Sequence, residues 1–122
     1  VENWPSTPAG EKRQAENVVE FYQTLYGHPL IEGITWWDLI DGQWLNAPSG
    51  LLREDYSPKP AYNELKNLIK DKWWTGTKRL KTDAAGELEF TGTLGDYSLK
   101  IKDKEVNFKL EKDQAENSLS LA

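Results

Sequence analysis

The residues with the most chemical content lie close together in the chain: Trp36, Trp37 and Trp44, with Asp41, Gln43 and Asn46 among them. Flat indole faces stack on the apolar faces of sugar rings, and short polar side chains hydrogen-bond the ring hydroxyls. Successive side chains on an extended segment point in opposite directions, so one of Trp36 and Trp37 is expected to pack inward. Cutting a glycosidic bond would further require two carboxylates flanking such a cleft. Asp38 and Asp41 are candidates by position, but an Asp at a strand end more often braces a loop. Glu2 stands in a terminal loop beside Trp4, and Glu54 and Asp55 follow Arg53 in turns that are either solvated or ion-paired. No pair among them has a spacing that demands acid–base work, so no catalytic residue is assigned. The single His28 sits in Gly27-His28-Pro29 and there is no cysteine. No metal site and no cofactor are expected.

The elements that must position these side chains can be read from periodicity. Thr7 before Pro8 is a helix start, a capping hydroxyl followed by proline at the first helical position. Ala15, Val18, Val19, Tyr22, Leu25 and Tyr26 then recur at three- and four-residue spacing, one apolar stripe. Glu11, Lys12, Arg13, Glu16 and Glu20 are expected on the wet side, and Gly27 ends the helix with Pro29 beyond. Residues 33–40 are β-branched and aromatic on both faces, the pattern of a strand covered on two sides. A turn-rich loop from Asp41 to Tyr56 follows. Ser57-Pro58-Lys59-Pro60 then opens a second helix carrying Ala61, Leu65, Leu68 and Ile69.

One strand between two helices has two edges of unpaired backbone groups. Residues 1–74 therefore read as a slice of a larger α/β fold; a small α+β domain whose strand joins a later sheet stays open. From Thr77 the period switches to two. Leu88 and Phe90, then Tyr97, Leu99 and Ile101, then Val106, Phe108 and Leu110, and finally Leu119 and Leu121 alternate with polar residues. Short alternating runs of this kind indicate a small antiparallel sandwich over 77–122. The fold class is thus α/β followed by all-β.

Composition narrows the classes of partner. The formal charge is −5, and bases are mixed with acids, which excludes the basic face that nucleic acid or an anionic membrane needs. No apolar run approaches the roughly 18 residues that span a bilayer. All six tryptophans precede residue 75, which places a boundary near Thr75-Gly76-Thr77. With Val rather than Met at position 1, the chain is expected to be a processed or cut piece.

Three runs resemble a known family: Glu32-Gly33-Ile34-Thr35-Trp36-Trp37-Asp38-Leu39, Gly42-Gln43-Trp44-Leu45-Asn46-Ala47-Pro48-Ser49-Gly50-Leu51-Leu52-Arg53, and Ser57-Pro58-Lys59-Pro60-Ala61-Tyr62. Together they resemble the last strand, loop and helix of family-ten glycoside hydrolases, the endo-β-1,4-xylanases. Lys72-Trp73-Trp74-Thr75 and Gly92-Thr93-Leu94-Gly95-Asp96-Tyr97 are similar to a β-rich extension of a bacterial subgroup.

The resemblance implies the closing part of a (β/α)₈ barrel (helix 7, strand 8 and helix 8 over 1–74) with an accessory sandwich behind it. It also implies secretion, and xylan or xylo-oligosaccharide as partner. Both catalytic glutamates would lie upstream, leaving a retaining xylanase fragment inactive alone. By the same resemblance Trp37 and Trp44 would form a sugar platform, with Trp36, Asn46 and Asp41 beside it. Two other roles stay open: a carbohydrate-binding module without catalysis, and a structural fragment that forms homo-oligomers or joins the rest of the barrel.

Overall fold

The computed structural model describes residues 4–112. The chain divides into two compact units, Val1–Lys72 and Trp73–Ala122.

The first unit is built on two helices. Helix α1 runs Pro8–Tyr26, and the Thr7 hydroxyl accepts the Gly10 amide at 3.1 Å, as the Thr-Pro start foretold. At the other end the Gly27 amide donates to the Gln23 carbonyl. Helix α2, Pro60–Lys66, also begins on a proline, and it widens into a π-helical turn over Asn67–Trp73. Ala15, Val18 and Tyr22 of α1 and Ala61, Leu65 and Leu68 of the α2 segment are buried, and the two helices pack together. Each of the larger side chains contributes about 1.5–3 kcal/mol by leaving water. Glu11, expected on the wet side, is buried instead.

The chain between the helices makes few regular pairs. A parallel bridge joins Ile40 to Leu52 and an antiparallel one joins Leu52 to Pro58. Upstream of that bridge, residues 33–38 alternate in burial but form no strand, and the chain bends at Trp37 and Leu39. The covered residues are Ile34, Trp36, Asp38 and Ile40; Gly33, Thr35, Trp37 and Leu39 are exposed. The expectation of a strand buried on both faces is therefore corrected: one face is covered and the other is wet. Composition could not distinguish these, because both faces are apolar.

The second unit contains one hairpin. Strands β1, Gly95–Ile101, and β2, Lys104–Leu110, are antiparallel, with Tyr97 opposite Phe108 and Leu99 opposite Val106. Tyr97 and Phe108 stack at 5.6 Å between ring centroids, and Phe90 meets both rings. The Tyr97 hydroxyl reaches back to the Thr93 carbonyl and the Thr75 hydroxyl. Leu88 and Phe90 lie in no strand, and Leu119 and Leu121 fall outside the described residues.

The expected barrel segment and sandwich are both overturned. The described residues hold two α-helices and a single two-stranded antiparallel sheet. A barrel needs eight strands and a sandwich needs two stacked sheets, and a chain of 122 residues is too small for both. Alternation marks a strand but does not supply its neighbours. Among the described residues no helix is long and apolar enough to cross a membrane.

Candidate functional site

The loop from Asp38 to Lys59 is organised by one buried ion pair. Lys59 is 1% exposed, and its ammonium donates to Asp41 Oδ1 and to the Pro48 carbonyl, both at 2.9 Å. The same carboxylate oxygen accepts the Gly50 amide at 2.8 Å. A buried lysine and aspartate each lose hydration on folding, and that loss is offset only when their hydrogen bonds are made. Here they are made, to two turns of loop at once. Gly50 lies so close that an added Cβ would stand 2.5 Å from the Asp41 amide nitrogen and the Ile40 carbonyl carbon.

A second tie fastens this loop to α1. Arg53 donates from Nε to Glu11 Oε1 at 2.9 Å and from Nη2 to Glu11 Oε2 at 2.5 Å, a two-pronged pair of the kind guanidinium geometry favours. Ser6 donates to the same carboxylate. Hydrogen bonding from Arg53 is the main cause that holds the Glu11 carboxyl below its ordinary range, against the opposing effect of burial. Gln14, one turn along α1, donates to the Gly50 carbonyl at 3.1 Å.

What the brace holds out to solvent is apolar. Trp37 is 87% exposed, and Leu39, Trp44 and Leu45 are more than half exposed. Leu45 and Asn46 both adopt positive φ, at 51° and 55°, in the turn closed by the Ala47 amide on the Trp44 carbonyl. For a leucine that conformation costs about 1–2 kcal/mol, so the surrounding bonds impose the turn.

Two depressions of the first unit take up different members of the five side chains singled out from the sequence. Trp36 turns inward against Tyr22, 6.5 Å between ring centroids, and lines an open groove of about 520 Å³ along α1 with Arg13, Gln14 and Phe21. Trp37 and Trp44 line neither this groove nor the shallow depression of about 350 Å³ beside Trp4 and Arg53. Asn46 and Asp41 do line that depression, but Asp41 is 6% exposed and occupied with Lys59. The alternation rule foretold that one of Trp36 and Trp37 packs inward. It gave no sign of Lys59, because a lysine between two prolines reads as surface. The one available hint was the Asp41 already noted as a loop brace.

No known protein family's profile matches the chain. It is 24% identical, over 102 residues, to the anti-sigma-I factor RsgI6 of Acetivibrio thermocellus; the alignment covers 83% of this chain and 13% of that protein. These findings correct the expectations drawn from resemblance. No profile supports family-ten glycoside hydrolase membership, and the relative carries the name of an anti-sigma factor, not of a xylanase. The xylan-degrading role gives way, as do its carbohydrate-binding and fragment-assembly alternatives, with xylan, a second copy or the rest of a barrel as partner. The chain is similar to a short stretch of a protein named for acting against a sigma factor.

Proposed function

We propose that this chain is a protein-binding segment of a regulator of the anti-sigma kind, and that its partner is a sigma factor. The observation that carries the reading is the set of large apolar side chains that the first unit holds in water: Trp37, Leu39, Trp44 and Leu45. Exposed tryptophan on a rigid support is the usual anchor of a protein interface, because it buries a large area with little loss of side-chain freedom. The buried Lys59–Asp41 pair and the Glu11–Arg53 pair supply the support. In this reading Trp37, Trp44 and Asn46 meet the partner, Trp36 packs on Tyr22, and Asp41 positions the loop without touching the partner. The similarity to RsgI6 supports a regulatory role, and since it spans 13% of that protein, the identity of the partner is part of the proposal.

The test is titration of the purified chain with a purified sigma-I-type factor, followed by calorimetry and tryptophan fluorescence. Saturable binding, weakened about thirtyfold or more when Trp37 and Trp44 are both changed to Ala, is the expected result. Absence of binding at micromolar concentrations, with helicity intact by circular dichroism, would sink the proposal.

A further inference from the structure

From Gly76 to Glu87 every residue is exposed, the longest such run among the described residues. Within it, Gly76-Thr77-Lys78-Arg79-Leu80-Lys81-Thr82 is strung between two fixed points of the second unit. Before it, the Thr75 hydroxyl accepts the Thr93 amide at 3.1 Å and meets the Tyr97 hydroxyl at 2.9 Å. After it, the Asp83 amide donates to the Glu87 carbonyl at 2.8 Å, and its carboxylate accepts the Ala85 and Glu87 amides. Between those ties, among the described residues, no backbone group is hydrogen-bonded to another backbone group. The chain there runs without a turn or a bend.

The stretch is also basic, with Lys78, Arg79 and Lys81 close together in a chain whose formal charge is −5. None of the three is ion-paired among the described residues. The remaining bases are placed differently. Those of the first unit lie in α1, in α2 or in its π-helical turn, except Arg53, tied to Glu11, and Lys59, buried ahead of Pro60. Those of the hairpin lie in its ladder or its tight turn, with Lys112 past the end of β2. The other long exposed run, residues 26–33, contains no lysine or arginine.

An endopeptidase takes its substrate as an open main chain, pairing with the backbone and seating side chains in pockets. A basic side chain calls for a pocket that carries a carboxylate. Bonds inside a helix, a ladder or a tight turn are reached only after local unfolding, so their cleavage is slowed by the small fraction of time they are open. Residues 76–82 have nothing to unfold, and an exposed stretch of this kind is where nicking concentrates. We propose that residues 78–81 are a processing site, at which an endopeptidase with a carboxylate in its specificity pocket hydrolyses the bond between Arg79 and Leu80. That bond has two bases on its acyl side and lies clear of both ties, whereas the bond after Lys81 abuts the residue joined to Asp83. Water adds as the carbonyl carbon–nitrogen bond breaks: Arg79 gains the oxygen as a carboxylate and Leu80 gains a free amino group. The cut severs the covalent link between α1 and α2 on one side and the hairpin on the other. It does not depend on the partner proposed above.

Trypsin, whose pocket carries such a carboxylate, is the probe, applied sparingly to the folded full chain and followed by intact mass. The first internal cut should generate a fragment beginning at Leu80, the two masses summing to the chain plus one water. That bond should be cut at least about tenfold faster than any in α1 or α2, and within about threefold of the rate in a free peptide of residues 74–84. Changing Lys78, Arg79 and Lys81 together to Gln should lengthen the life of the intact chain at least about tenfold. Subtilisin, which requires no base, should still open the same stretch in that variant, showing that its exposure is unchanged. A first cut inside α1, α2 or the hairpin overturns the proposal. So does cleavage at Arg79 about a hundredfold slower than in the free peptide, or a variant that disappears as fast as the parent.

Discussion

Glu11 and Arg53 are separated by 42 residues and joined by two hydrogen bonds, and the consequence is a pH dependence. The guanidinium holds the Glu11 carboxyl below its ordinary value of 4.5, so the folded chain binds that proton more weakly than the unfolded chain. The sign follows: the pair's contribution is complete above about pH 4.5 and is lost as pH falls through the lowered value. Thermal melting of the first unit, followed by helix circular dichroism, should fall on acidification below that point. The slope should be shallower in Glu11→Gln, which starts less stable at neutral pH and has no charge to lose.

At the scale of elements, the loop between α1 and α2 is fixed by close approach as much as by charge. Ala at position 50 would drive its Cβ against the backbone of Ile40 and Asp41, neither of which can turn aside. Gly50→Ala should therefore cost about 3 kcal/mol in urea unfolding, against near zero for Gly33→Ala, where nothing lies within 4 Å. The elements themselves were unequally legible. Helix α1 could be read because its signals are local: Thr7-Pro8 at one end, an apolar stripe, Gly27 at the other. The burial of Glu11 could not, because its cause is an arginine on a distant loop. Residues 33–40 read as apolar on both faces, so the sequence did not show that one face stays wet, since Trp36 and Trp37 look alike to any pattern. Leu88 and Phe90 alternate as well as Tyr97 and Leu99 do, and only the latter pair found a neighbouring strand. Of the candidate site, the aromatic residues were visible in the sequence and the Lys59–Asp41 brace beneath them was not.

At the scale of the whole molecule, the burial is concentrated in one unit. Among the described residues, every side chain below 9% exposure, from Glu11 to Leu68, belongs to the first unit. The second rests on a two-stranded hairpin and the cluster of Phe90, Tyr97 and Phe108. A lone hairpin is marginal in water, and three aromatic rings stabilise it only modestly. Unfolding should accordingly proceed in two steps, with amides of β1 and β2 exchanging at lower urea than those of α1 and α2. A single transition with coincident exchange would show that the units stabilise each other.

The depth of Lys59 has a further consequence, for reagents rather than for partners. An amine-acylating compound reaches the exposed lysines of α1 and of the hairpin at once, whereas Lys59 is sealed beneath Pro48 and Asp41. Its labelling must wait until the loop lifts away. The rate at which mass accumulates at that one position is then a stopwatch for the opening of the first unit, readable in a mixture and without any mutation.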